Sequence, residues 1–353
     1  MAKETFVALC ESICYVVLFY KKAHCFMIKV SIIVPVYNAG ERIYKCLDTL
    51  VNQTLREIEI ICVLDCPTDG TDKVVEEYAM RDERIVIVRN ERNLHVSGSR
   101  NEGLKVARGE YIGFSDHDDY RDLRMYELLY AKACVTKSDI VVSGSTVIHE
   151  NGNVAIELCQ DKTRSGAIES VIMPWEYYQV NKNRVIKNIW GNIYKRKFLH
   201  DNALRFYSWQ ETLEEDVLFN SEAYVLANDI GFVEGPLYTW HKKADSAGNT
   251  WVEDKELVDK LVRRQLFQTE KVVEVLMRKN ELKFNHKPLQ ILLSHYMHVY
   301  CMYYRLMTET DRLRLSRLLS FVKFPLFGRY DLKLLSKKRV QLLFFVLRTK
   351  YFV

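Results

Sequence analysis

Three carboxylates crowd into positions 116 to 119 of the segment FSDHDDY, with only His117 between them. Like charges this close repel each other, and a divalent cation is the natural partner that offsets the repulsion. Asp116 and Asp118 form an Asp-x-Asp pair. Side chains two apart at a strand end share one face, so both carboxylates can reach one cavity. Hard oxygen donors suit Mg2+ or Mn2+, and such an ion can neutralise negative charge that develops on a bound group. A second acidic group, Glu214, Glu215 and Asp216 in LEEDVLF, offers candidates for a general base. The plain alternative for both groups is a solvated acidic turn at a helix start, where carboxylates favour the helix dipole.

The elements that must position these residues are legible from residue 29 onward. VSIIVPV (30–36), IEIICVL (58–64) and IVIVRN (85–90) read as strands, and EYIGFS (110–115) as a fourth. Unbroken β-branched runs are expected where both faces of a parallel sheet are covered. Pro35 marks the end of the first strand. Between the strands lie helical stretches: 39–53 with an apolar stripe, 71–82, and 96–109 closed by Gly109. The alternation predicts an α/β fold, a Rossmann-like, mostly parallel sheet flanked by helices. Ligands of open sheets bind beyond the carboxyl ends of the strands. Three polar clusters lie at such ends: Tyr37-Asn38, Asp65 to Asp69, and Asp116 to Asp119. Their convergence argues more strongly than any one of them. Neither G-x-G-x-x-G nor a P-loop is present, which disfavours dinucleotide and ATP-cradle readings.

VSIIVPVYNAGERIYKCLDTLVNQT, EIICVLDCPTDGTD, SGSRNEGLKVARGEYIGFSDHDD and EEDVLF together resemble the family 2 glycosyltransferases of the GT-A fold. The likeness covers roughly residues 28–220 and fades beyond Trp240. The family's second motif usually reads Val-Asp-Asp-Gly-Ser-Thr-Asp-Gly. Here Leu64 replaces the first Asp and Cys66-Pro67 replace Gly-Ser, while Asp65 is kept. The resemblance implies an inverting, metal-dependent transfer of a sugar from a nucleotide donor, with uridine as the base.

Roles follow by resemblance. Asp118 ligates Mn2+ or Mg2+ directly, Asp116 contacts the ribose or a metal-bound water, and Asp119 supports them. Tyr37 stacks on the base, Asp65 accepts a base N–H, and Pro35 supplies backbone contacts. Arg100 and Asn101 match the family's Arg-Asn pair on the diphosphate side, and Arg100 alternatively pairs with the acidic cluster. Asp216 is the base, with Glu215 in support. Trp190 offers a flat face to an acceptor sugar, and His241 is a further candidate metal ligand. A nucleotidyltransferase of related fold is the first rival, but PVYNAGERI lacks its basic Gly-rich loop. A non-catalytic nucleotide-sugar binding module is the second, and retention of both acidic groups disfavours it.

The 353 residues, 48% hydrophobic and 12% aromatic, suffice for a large core. Nine scattered cysteines form neither a disulfide framework nor a zinc ribbon and point to a reducing, cytoplasmic setting. We expect a domain over 28–250, divided into a nucleotide-binding half (28–135) and an acceptor half (136–250). Residues 1–27 form an extension, and 251–353 a helical, basic C-terminal region. The net charge of +5 is concentrated in the tail, where Lys337, Lys338 and Arg339 lie among Leu- and Phe-rich stretches. That mixture suits an anionic membrane surface. The expected partners are therefore a nucleotide-sugar donor, a glycan or lipid-linked acceptor and the inner membrane face, with no nucleic acid.

Overall fold

The structure is a computed structural model, and it describes residues 27–157, 171–172, 188–212, 214–242, 255–279 and 307–320. The extension over 1–26 and most of the C-terminal tail lie outside the described residues.

The first half follows the expected alternation. Strands β1 (Val30–Val36), β2 (Ile58–Leu64), β3 (Ile85–Arg89) and β4 (Tyr111–Phe114) are joined by helices α1 (Arg42–Val51), α2 (Thr71–Arg81) and α3 (His95–Val106). All four strands are parallel, in the order β3-β2-β1-β4. Every residue of β1 and β2 is buried, which explains why their sequences do not alternate.

The second half adds β5 (Tyr120–Arg121), α4 (Met125–Thr136), β6 (Ile140–His149), β7 (Val154–Glu157), β8 (Val171–Ile172), β9 (Asn192–Lys195), α5 (Arg196–Asp201), α6 (Glu215–Leu226) and β10 (Ile230–Lys242). The sheet continues as β4-β9-β6-β10-β5. Strand β9 is antiparallel to both β4 and β6, while β6 and β10 are parallel. The sheet is thus mixed, and parallel across β1 to β4. Helices α7 (Lys255–Arg278) and α8 (Glu309–Ser320) confirm helix in the C-terminal region. Val262, Leu266 and Leu276 of α7 join the same buried cluster as the sheet.

Two local expectations need correction. Pro35 does not end β1, which runs on to Val36 and pairs Pro35 with Val63 of β2. The Ile33 carbonyl accepts from Ser115 on the β4 side, and the Val36 carbonyl from Asp65 on the β2 side. Pro35, in phase with Ile33, therefore turns its absent N–H toward β4, whose pairing with β1 stops at Phe114. Gly109 does not close α3, which ends at Val106 with an extended Ala107. A Cβ at Gly109 would lie 2.5 Å from the Ser31 nitrogen. Gly109 is there because the chain crosses against β1.

Candidate active site

The site is built where strands β1, β2 and β4 end. The loops after β1 and β2 are stitched together by short polar bonds. Thr68 N donates to Asn38 Oδ1 (2.8 Å), Gly40 N to Asp69 Oδ2 (3.0 Å) and Ala39 N to Thr71 Oγ1 (3.1 Å). Asn38 (φ 44°) and Gly40 (φ 56°) take the left-handed backbone this turn requires. Tyr37 is left 45% exposed at the rim. Asp65 is buried, and its Oδ1 accepts from Asn90 Nδ2 and from the Leu94 N–H, both at 2.7 Å. The aromatic face and the oriented carboxylate therefore stand side by side at the first two strand ends.

The segment after β4 divides its acids among different tasks. Asp116 accepts from Arg100 Nη2 at 2.9 Å, and Asp118 faces the exposed Arg42 at 3.3 Å. His117 sits over Pro35, its Nδ1 3.0 Å from that carbonyl. Asp119 is a latch. Its Oδ2 accepts from the Tyr238 hydroxyl (3.0 Å) and its Oδ1 from the His241 N–H (3.1 Å). The same Tyr238 hydroxyl accepts from the Asp116 N–H at 3.2 Å. Burial, then repulsion from Asp116 and Asp118, pushes the Asp119 carboxyl up to about 8. β10 is thereby fastened to the acidic loop, and His241 is delivered beside it.

These groups fit a divalent cation in chemistry. Nε2 of His241 is buried with no hydrogen-bond partner among the described residues. Burial, followed by the positive charge of Lys45, lowers its pKa, while Asp118 acts on it in the opposite sense. A neutral imidazole with an orphaned nitrogen near carboxylate oxygens is a donor set that Mn2+ or Mg2+ accepts. Among the described residues no three such groups are already drawn together as a cluster.

Arg100 joins the two acidic groups. It is 4% exposed, and its Nη1 donates to Glu215 Oε1 at 2.8 Å while Nη2 holds Asp116. One guanidinium thus couples the segment after β4 to the first turn of α6, joining Asp116 to Glu215 from distant parts of the sequence. Asp216 is half-buried beside it, and its Oδ1 accepts from the Val217 N–H at 2.8 Å. Burial, then the neighbouring Glu215, pushes the Asp216 carboxyl up to about 8, against the pull of Arg100. A carboxyl tuned this way accepts a proton near neutral pH.

Two predicted residues are placed elsewhere than expected. Trp190 is not an open platform for a sugar. It is 6% exposed and stacked on Tyr238, with centroids 4.4 Å apart. It buttresses the tyrosine that holds the acidic loop. The Asn101 amide is engaged with the Phe206 backbone, donating to its carbonyl (2.8 Å) and accepting from its N–H (2.9 Å). It anchors the approach to α6. Sequence reasoning missed Tyr238, Asn90 and Trp209. Trp209 is 45% exposed seven positions before Asp216, with its ring edge-on to His95 at 5.1 Å. An aromatic just upstream of the candidate base Asp216 was the available signal.

Comparison with known proteins shows the family and the fold. The family model described as Glycosyl transferase family 2 matches residues 31–196. A Bacillus subtilis (strain 168) relative, "Uncharacterized glycosyltransferase EpsJ", is 32% identical over 67% of this chain and 67% of its own length. The chain belongs to glycosyl transferase family 2. "Glycosyltransferase GlyA" of Streptococcus pneumoniae serotype 4 is 30% identical over 67% of this chain. That match spans 34% of GlyA, about a third of its length. Crystal structures of S. aureus TarS 1-349 in complex with UDP and with UDP-GlcNAc superpose with TM-scores of 0.63 and 0.61. Each is 22% identical and covers 91% of this chain and 88% of that one. The fold is accordingly that of the family's GT-A-like enzymes. The family model stops at 196, so α6 with Asp216 and all of α7 lie beyond it.

Proposed function

We propose that this glycosyltransferase transfers a sugar, with inversion, from a uridine-diphosphate donor to a hydroxyl of a glycan or lipid-linked acceptor in cell-surface polysaccharide synthesis. The observation that carries the reading is Arg100, whose guanidinium bonds Asp116 on the leaving-group side and Glu215 on the base side. Both halves of a displacement reaction therefore meet at one place. Tyr37 stacks on the base, and Asp65 accepts from its N–H. Asp216 takes the proton of the acceptor hydroxyl, which attacks the anomeric carbon as the diphosphate leaves. Asp118, Asp116 and His241 would hold Mn2+ or Mg2+, which when bound neutralises charge on the departing diphosphate. Trp209 is the exposed aromatic on the acceptor side. The TarS complexes with UDP and UDP-GlcNAc support uridine as the base.

A panel of nucleotide sugars, assayed for nucleoside-diphosphate release with Mn2+, tests this reading. UDP-sugars should be consumed and EDTA should abolish the reaction. Asp118→Ala should lose Mn2+-dependent UDP binding while its melting temperature stays near wild type. Unchanged Mn2+ dependence in that variant would refute the metal assignment.

A further inference from the structure

Helix α7, whose Gln268 reaches the start of α6, buries polar side chains among its apolar ones. Gln265, Gln268 and Thr269 of α7 are buried, Gln268 to 1% exposure. Gln268 Nε2 donates to the Glu214 carbonyl at 2.9 Å. That carbonyl already accepts the first helical bond of α6, from the Leu218 N–H at 3.1 Å. One turn earlier on α7, Arg264 Nε donates to the Gln210 carbonyl at 3.3 Å, and its guanidinium lies 5.5 Å from the Trp209 ring. Thr212 Oγ1, Gln265 Oε1 and Gln268 Oε1 are buried with no partner among the described residues. Burying polar groups this way costs free energy. A helix that only had to cover α6 would continue the apolar face it shows at Val262 and Leu266. What the glutamine supplies instead is a fixed direction at one carbonyl, on the residue immediately before Glu215 and Asp216.

We propose that Gln268 is a positioning residue for the transfer reaction. Through the Glu214 carbonyl it sets the first turn of α6, and with it the approach of Asp216 and Glu215 to the site. The proposal rests on the reading of Asp216 as the base. Asp216 is faced by Glu214 and Glu215 on its own helix, by Arg100 of α3 and by Tyr194 of β9. Loosening the first turn admits water to Asp216 and weakens the Arg100–Glu215 pair. Both changes degrade the base without touching the donor pocket at the ends of β1 and β2.

The test uses the full chain. Gln268→Met keeps length and volume and removes the amide, both the donor to Glu214 and the buried Oε1 that has no partner among the described residues. Leu266→Ala on the same helix weakens packing and leaves the hydrogen bond in place. UDP release from UDP-GlcNAc with Mn2+ is followed against pH, UDP affinity by titration, and exchange of the Leu218 amide by hydrogen–deuterium exchange. Gln268→Met should lower kcat about 10- to 100-fold, with UDP affinity unchanged within about twofold. Its ascending pH limb should move about half a unit lower, as expected of a better-solvated carboxylate. Its Leu218 amide should exchange faster. Leu266→Ala should lower Tm further yet leave the pH limb where it is. Wild-type pH dependence and Leu218 protection in Gln268→Met would overturn the proposal, as would an equal shift of the limb in Leu266→Ala. If wild-type protein releases no UDP, the reading of this donor and base fails. The Leu218 comparison then still decides whether Gln268 holds α6.

Discussion

At the scale of single residues, Asp216 carries two expectations of opposite direction. In the proposed role of base it must be ionised, so kcat/KM should rise as pH rises through about 8. Asp216→Asn should lower kcat on the order of 10²–10⁴ and leave UDP affinity nearly unchanged. For stability the direction reverses. The carboxyl moves from 3.8 to about 8 on folding, so the native state binds the extra proton between those values. Stability therefore falls as pH rises through that window. Asp216→Asn removes this slope, and its Tm should exceed wild type most clearly above pH 8. A thermal melt series across pH checks this independently of activity. Cys66 is a second such residue. It stands where the family usually has glycine, and its φ of 58° is left-handed. For a residue with a Cβ that conformation costs about 1–2 kcal/mol. Its thiol recovers part of this by donating to the Asn90 carbonyl at 3.3 Å. In urea melts Cys66→Gly should stay within about 0.5 kcal/mol of wild type. Cys66→Val, β-branched and without a donor, should lose about 1–2 kcal/mol.

At the scale of elements, the site depends on how closely α3 lies on β1. A Cβ at Gly103 would meet Ile33 Cγ2 at 2.5 Å. Glycine there lets the helix approach the strand and seats Arg100, one turn earlier, between Asp116 and Glu215. Gly103→Ala should force the two apart and destabilise by about 1–3 kcal/mol, as overpacking does. It should also lower kcat more than a surface change of equal destabilisation, because Arg100 moves with α3. Chemical denaturation paired with a turnover assay measures both effects. An Ala variant with lost stability but wild-type turnover would show that Arg100 tolerates displacement of its helix.

At the scale of the whole molecule, the question is where the enzyme sits. No helix among the described residues is long and apolar enough to cross a membrane. The proposed contact with an anionic inner membrane face rests on the basic, Leu- and Phe-rich tail, most of which lies outside the described residues. Helix α8 belongs to the body. Arg314 forms a two-pronged ion pair with Glu270 of α7 (2.7 and 2.8 Å), and Leu315 and Leu318 are buried. A test of the tail must therefore cut after Ser320. Full-length protein should float with anionic vesicles at low salt, while a chain ending at Ser320 should stay in the soluble fraction. Flotation of both would move the membrane contact into the body, and flotation of neither would end the membrane reading.

The amino-acid sequence by itself determined the elements of the first half and where its acidic residues stand relative to them. Buried β-branched runs admit few other readings, so β1 and β2 fall on the predicted residues, and the Asp-x-Asp pair stands just beyond a strand end. These signals are local, and local periodicity and spacing record them. Tertiary structure decided which acids face which partners. Asp119 reads as a third acid of the cluster, yet its oxygens are taken by Tyr238 and His241, about 120 positions away. Trp190 reads as a sugar platform until Tyr238 covers its face. Arg100 joins Asp116 to Glu215, and Gln268 reaches the Glu214 carbonyl, only because the sheet and α7 bring distant segments together. Long-range pairing leaves no period or spacing in the chain, so the link between the two acidic groups had to be found in the folded protein.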